Sequence, residues 1–292
     1  MSRALHVNTL EPAASEAPVR PEAAGGLSAN RQGKQSHGTL ILNADDWGRD
    51  RENTDKILVC QQRGALSSVS AMMYMQDSER GAALAREKNV DAGLHLNLTS
   101  PFTALSLPAN LAEQQLKIAR YLRRNGLAPA VFHPGLRNAF DYVVNAQLDE
   151  FARLYGKAAS RIDGHHHMHL AANVLYQKLL PAGTIVRRNF SFRTGEKNWA
   201  NRKYRALQDR SLARRHRMTD FFFALPPLEH QRVRKIFLMA ETSAVEVETH
   251  PVVEEEFQFL SSGEIFAFTG GIAIEPTYQL PARSARESHQ QA

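Results

Sequence analysis

Residues 39–53 read TLILNADDWGRDREN, and residues 54–64 continue TDKILVCQQRG. TLILN is a short apolar run, ADDWGRDREN is a polar cluster, and the continuation sets Ile57, Leu58 and Cys60 among charged residues. That succession predicts a strand, a polar loop and a helix. The alternation recurs downstream. SSVSAMMYM is β-like and precedes DSERGAALAREKN, where Asp77 or Ser78 can cap a helix. DAGLHLNL is again β-like and leads into a mainly helical region that reaches Lys157, broken around FHPGL. RIDGH, TIVR, TDFFFAL and AVEVETHP are further strand candidates. Helical stretches separate them, such as LEHQRVRKIFLMAE with Val233, Ile236, Phe237 and Ala240 on one face. EEFQFLSSGEIFAFTG followed by IAIEPTYQL adds a final pair. Seven or eight β/α repeats over about 250 residues predict an α/β fold with a parallel sheet, closed into a distorted (β/α) barrel of TIM-barrel type.

Residues 1–37 are rich in Ala, Pro, Glu, Gly, Ser and Gln and poor in large apolar side chains. Such a stretch cannot offset the entropy of ordering, so a flexible N-terminal leader is expected, with the barrel domain over 38–292. Cys60 is the single cysteine, which excludes an intrachain disulfide and a cysteine-rich zinc module. No stretch resembles a secretory apolar core or a membrane span, so a cytoplasmic protein is expected. The net charge of +6 is concentrated between Arg187 and Arg217, where a basic run is interleaved with Trp199 and Tyr204. Such a run is ordinarily a solvated face; it also admits a lid or subunit contact, or a contact with nucleic acid or another anion. There is no GxGxxG or GxxxxGK[ST], so a nucleotide fold has no support.

In β/α architectures functional groups gather where strands end. The first strand ends in Asp45-Asp46, the third carries His95, and the fourth runs into His165, His167 and His169. A carboxylate with two histidines from three strands suits a divalent ion with coordination positions left open to water. An isolated Asp-Asp pair is more commonly a turn or cap, and an isolated histidine a core residue; here they coincide at successive strand ends. Alternation along an extended segment would send His165, His167 and His169 to one side. Glu248 and His250 end a later strand before Pro251, and His250 suits a general acid.

LILNADDWG with Asn53 following, GLHLNLT, RIDGHHHMH, IVR and ETHP together resemble the motifs of the YdjC-like carbohydrate deacetylase family. The resemblance spans about Thr39 to Leu280. It implies a distorted (β/α) barrel, often a homodimer, that removes acetyl groups from N-acetylated amino sugars with one divalent metal ion, Mg²⁺ or Zn²⁺. It further implies that Asp46, His95 and His165 hold the metal and that Asp45 is the base, with the two aspartates open to exchange of roles. His250 would protonate the leaving amine, and Arg187 would orient the substrate or the catalytic carboxylate. Trp47, Asn97, His167, His169 and Glu248 are expected to line the substrate pocket. Two positions depart from the family pattern. Trp47 stands where phenylalanine is usual, and Val252 follows His250-Pro251 where glycine is common. The same ligand set could serve another amide or a phosphoester, and the basic run of 187–217 could make this a nucleic-acid-binding protein. Acidic and histidine groups clustered at strand ends argue against the latter.

Overall fold

The computed structural model describes residues 38–191 and 199–281. The expected leader, 1–37, lies outside the described residues, as does part of the basic run, 192–198. The elements alternate from the start: β1 (Thr39–Trp47), α1 (Arg51–Gln62), β2 (Ser68–Ala71), α2 (Ser78–Lys88) and β3 (Ala92–Leu96). Two helices follow, α3 (Ala109–Leu122) and α4 (Arg137–Tyr155), then β4 (Arg161–Gly164), the short α5 (Ala172–Tyr176) and β5 (Ile185–Val186). The remainder comprises α6 (Trp199–Ala213), β6 (Phe221–Ala224), α7 (His230–Leu238), β7 (Ala244–Thr249) and α8 (Glu254–Ser261).

The strands form one seven-stranded sheet in the order β5-β4-β3-β2-β1-β7-β6. Every neighbouring pair is parallel. Parallel strands require crossovers, which the helices between them supply. Burial on both faces explains why the strands read as near-continuous apolar runs: Leu40, Ile41 and Leu42 of β1 are all inaccessible to solvent. The sheet curls until its end strands approach. Arg217, just before β6, bridges Ile185 of β5, and the Ser191 N–H donates to the Phe222 carbonyl. The result is the distorted (β/α) barrel that the strand count predicts. In the final expected pair, residues 254–261 do form a helix, whose first turn holds three glutamates that suit its N-terminal dipole. IAIEPTYQL does not form an eighth strand. It makes only one bridge, Ile274 to Leu40, before Pro276, which has no N–H to extend a ladder. Among the described residues no helix is long and apolar enough to cross a membrane.

Candidate functional site

Asp45 and Asp46 are adjacent on a strand, and ordinary alternation would send their side chains to opposite faces. The backbone prevents this. The register between β1 and β2 shifts between Ala44 and Trp47, and Asp46 adopts a φ of 67°. This bulge turns both carboxylates into a cavity of about 410 Å³ at the end of the strand. Asp50 then caps α1 by accepting from the Asn53 N–H, and the Asn53 side chain also donates to Asp50. Asn53 is therefore part of the turn that follows the site.

His95 of β3 sits in register with Asp163 of β4. Its Nδ1 lies 2.8 Å from Asp163 Oδ1 and donates to it, which turns Nε2 outward. That Nε2 is 3.5 Å from Asp46 Oδ1, and His165 Nδ1 is 3.0 Å from the same oxygen. The ligand-type atoms of Asp46, His95 and His165 thus lie within 4.8 Å of one another. Asp46 Oδ1 is buried without a hydrogen bond of good geometry, while Asp46 Oδ2 is held by Arg49 at 2.8 Å. A buried carboxylate oxygen facing two imidazole nitrogens fits a divalent ion. Asp45, His95 and Asp163 form a second cluster of the same size, but both of its carboxylates are committed to Arg187 and the Nδ1 of His95 to Asp163.

Arg187, fully buried after β5, organises the floor. Its Nη1 and Nη2 grip Asp45 at 2.6 and 2.8 Å, Nη2 reaches Asp163 at 3.0 Å, Nε reaches Glu246 at 2.7 Å, and Nη1 lies 3.2 Å from Glu248. Burial opposes the charge on Asp45, but Arg187 and then His95 outweigh it and hold the carboxyl well below its ordinary range. Asp46 is likewise held low: burial is overcome by the contact with His165 and the charge of His95. Burial also opposes protonation of His95, yet Asp45 and Asp163 push it up to about 9. Burial and the nearby Asp45 push Glu248 well above the carboxylate range. Excess carboxylate in a buried space is a setting that a bound cation relieves.

The histidine run departs from expectation. Residues 165–170 are not extended; they form a tight helical turn with His166 and His167 in the left-handed region, at φ 54° and 59°. His165, His166 and His167 all reach the cavity in consequence, whereas His169 turns inward and its Nε2 meets the Arg187 carbonyl at 2.9 Å. Gly164 permits this close return, because a Cβ there would stand 2.9 Å from the His169 nitrogen.

The structure therefore brings Asp45, Asp46, His95, His165, His167, Glu248 and His250 to one cavity. Arg187 lies beneath it. Trp47, Asn97 and His169, also expected in the pocket, do not line this cavity. Trp47 is buried beside Gly81 of α2, since the bulge directs the aspartates, and not the ring, into the cavity. Asn97 is consumed by its own turn: its Oδ1 accepts from the N–H groups of Thr99 and Ser100, and its Nδ2 donates to the Ser100 carbonyl. Sequence reading assigned no role to Asp163, although its i, i+2 relation to His165 across the strand end was a usable signal. Arg49 and His166 also line the cavity without having been expected there.

The sequence pattern of the family described as YdjC-like protein matches residues 39–271. Among curated proteins, a chitooligosaccharide deacetylase of Enterobacter sp. (strain 638) is 27% identical over 177 residues, covering 60% of this chain and 64% of that protein. A carbohydrate deacetylase of Danio rerio is 27% identical over 143 residues, covering 46% of this chain and 43% of that protein. The matched region thus spans less than two thirds of either relative's length. In fold, the chain resembles a candidate cellobiose-phosphate cleavage protein of Enterococcus faecalis V583. The TM-score is 0.59 at 18% identity, covering 81% of this chain and 95% of that one. With the pattern matched from the first strand through the last helix, this chain belongs to the YdjC-like family.

Proposed function

We propose that the chain is a metal-dependent deacetylase that hydrolyses the acetamide of an N-acetylated amino sugar. One observation carries the reading most: Asp46 Oδ1, His95 Nε2 and His165 Nδ1 converge beside Asp45, which is clamped by a buried arginine. Family membership and the deacetylase relatives support the substrate class. Asp46, His95 and His165 would hold a divalent ion, which would supply a Lewis acid for the attacking water and the acyl oxygen. Asp45 accepts the proton of the attacking water, and the Arg187 fork keeps its carboxylate ionised and fixed in direction. His250 lines the same cavity, and its backbone N–H is anchored by Glu256 at 2.8 Å. It delivers a proton to the departing amine. Glu248 and His167, 3.7 Å apart, form the wall against which the sugar sits.

The test is acetate release from a panel of N-acetylglucosamine oligosaccharides and conjugates, using full-length protein stripped of metal and resupplied with Mg²⁺, Zn²⁺ or Co²⁺. Two imidazoles favour Zn²⁺ or another transition metal over Mg²⁺. Metal-dependent release is the expected outcome, lost in His165→Ala. Metal binding without release from any member of the panel would move the assignment to another hydrolase.

A further inference from the structure

The tail that does not become an eighth strand is fastened at two points across the barrel. Ile274 bridges Leu40, the Glu275 N–H donates to the Leu40 carbonyl at 2.9 Å, and the Tyr278 N–H donates to Asp91 Oδ2 at 2.8 Å. Leu40 stands near the start of β1 and Asp91 just before β3, so residues 274–278 cross the end of the barrel opposite the catalytic cavity. From that base Tyr278 points inward. Its side chain is buried, its ring centre lies 4.4 Å from the Arg161 guanidinium carbon, and its hydroxyl donates to Glu246 Oε2 at 2.7 Å.

Glu246 is fully buried on β7, two residues before Glu248 and therefore on the same face, one layer below the cavity that Glu248 lines. Its other oxygen, Oε1, accepts from Arg187 Nε at 2.7 Å. A hydrogen-bonded chain thus runs from the barrel base to Asp45 through the Tyr278 hydroxyl, the Glu246 carboxylate and the Arg187 guanidinium. Each link constrains the next. A guanidinium is planar and its donors form a rigid fork, so a carboxylate that pins Nε fixes the plane in which Nη1 and Nη2 reach Asp45. Glu246 holds that pose only while its second oxygen is satisfied, because a buried carboxylate oxygen without a donor carries its full desolvation cost. Burial pushes the Glu246 carboxyl up, with Arg187 and Tyr278 opposing it. Burial and the neighbouring Glu246 also push the Tyr278 phenol well above its ordinary range, which keeps it protonated and a donor.

We infer that Tyr278 is a positioning residue for the base: acting through Glu246 from the far end of the barrel, it sets the plane of Arg187 and so the direction of Asp45. The link to turnover rests on the deacetylase reading, whereas the orientation of Arg187 does not.

Tyr278→Phe removes the hydroxyl alone and keeps the ring beside Arg161. Two readouts are taken on the full-length protein. The first is kcat and KM for metal-supplied acetate release from the panel member that the parent chain hydrolyses. The second is the ¹⁵N-arginine NMR signal of the Arg187 Nε–H, identified by its loss in Arg187→Lys. In Tyr278→Phe, kcat is expected to fall about tenfold to a hundredfold with KM held within about twofold. The Nε–H signal, downfield and slow to exchange with water in the parent, should move upfield and exchange about tenfold faster. In a Glu246→Gln background, adding Tyr278→Phe should lower kcat no further, because the chain is already broken. Thermal melting serves as the folding control.

A parent Nε–H that exchanges as freely as those of surface arginines overturns the chain without recourse to any variant. An unchanged kcat in Tyr278→Phe overturns the positioning role, as does a loss confined to KM or one that multiplies with that of Glu246→Gln. So does a lower melting temperature with kcat and the Arg187 signal both unmoved, the mark of a residue that only closes the barrel base. Failure of the deacetylase reading looks different: the parent releases no acetate from any member of the panel, and the Arg187 signal still moves in Tyr278→Phe.

Discussion

Asp163 Oδ1 stands 2.8 Å from His95 Nδ1, across two strands held in register. The other oxygen of Asp163 lies 3.0 Å from Arg187 and accepts from Ser70. One carboxylate thus joins the proposed metal ligand to the arginine that grips the proposed base. It also sets which nitrogen of His95 is free. Carboxylates in this relation to a ligating histidine typically contribute about 10–100-fold in metal affinity. Asp163→Asn is therefore expected to weaken metal binding by about that factor, read by calorimetric titration with Zn²⁺. An affinity equal to that of the parent chain would remove Asp163 from the ligand-orienting role.

Arg187 is the largest polar investment in the core, with four buried carboxylates around it. Removing one partner of a buried ion pair commonly costs about 3–5 kcal/mol, because the remaining charge is left desolvated. Arg187→Met should lose about that much stability in urea unfolding. Arg187→Lys should recover part of the stability but little of the turnover, since one ammonium cannot hold Asp45 by two parallel bonds. If the lysine variant matched the parent rate, the bidentate clamp would have no catalytic consequence.

Much of this site was readable from sequence because parallel strands deliver their ends to one rim. Asp45-Asp46, His95 and His165 each stand in or just past a strand, and that placement brought them to one rim. What was not readable depends on backbone departing from its regular period. The bulge at Asp46 lets neighbouring aspartates share a cavity and buries Trp47, and the left-handed turn at His166 and His167 breaks the alternation that placed His169 beside His165. Neither has a local signature in side-chain type: the bulge is a register shift against β2, and the turn closes through His169 on the Arg187 carbonyl. The eighth strand failed similarly, since IAIEPTYQL alternates well but meets Pro276 after one bridge.

Gly164 provides a direct check on the turn. A methyl group at this position would meet the His169 nitrogen at 2.9 Å and the His169 Cβ at 3.1 Å. Backbone cannot yield as the tip of a side chain can, so the turn must shift and carry His165 with it. Gly164→Ala is expected to cost about 1–3 kcal/mol in chemical denaturation and to weaken metal binding by calorimetry. An alanine variant with unchanged stability and metal affinity would mean that the close return of His169 does not position His165.

His169 gives stability a pH dependence of definite sign. Burial, offset only in part by the bond to the Arg187 carbonyl, brings its pKa from 6.5 down to about 4. Between those values the unfolded chain binds a proton that the folded chain refuses, so folding weakens as pH falls from about 6.5 towards 4. The contribution is at most about 1.4 kcal/mol per pH unit. Urea midpoints followed from pH 8 to pH 5 in metal-free protein should fall over the lower half of that range, and His169→Asn should flatten the fall. An equally steep fall in the variant would assign the proton to another group.

The metal itself can be tested without turnover. An ion that binds the folded chain and not the unfolded one stabilises it by about 2.7 kcal/mol at a hundred times its dissociation constant. Adding Zn²⁺ to stripped protein should therefore raise the melting temperature in a concentration-dependent way, and a chelator should reverse it. The shift should vanish in His165→Ala, because removing an imidazole leaves only Asp46 and His95 of the cluster. It should persist in Asp45→Asn, since Asp45 is turned towards Arg187 and outside that set. The pair of variants separates the two aspartates that sequence left interchangeable. A shift lost in Asp45→Asn and kept in Asp46→Asn would reverse their roles, with Asp45 holding the ion and Asp46, anchored by Arg49, left to take the proton from water.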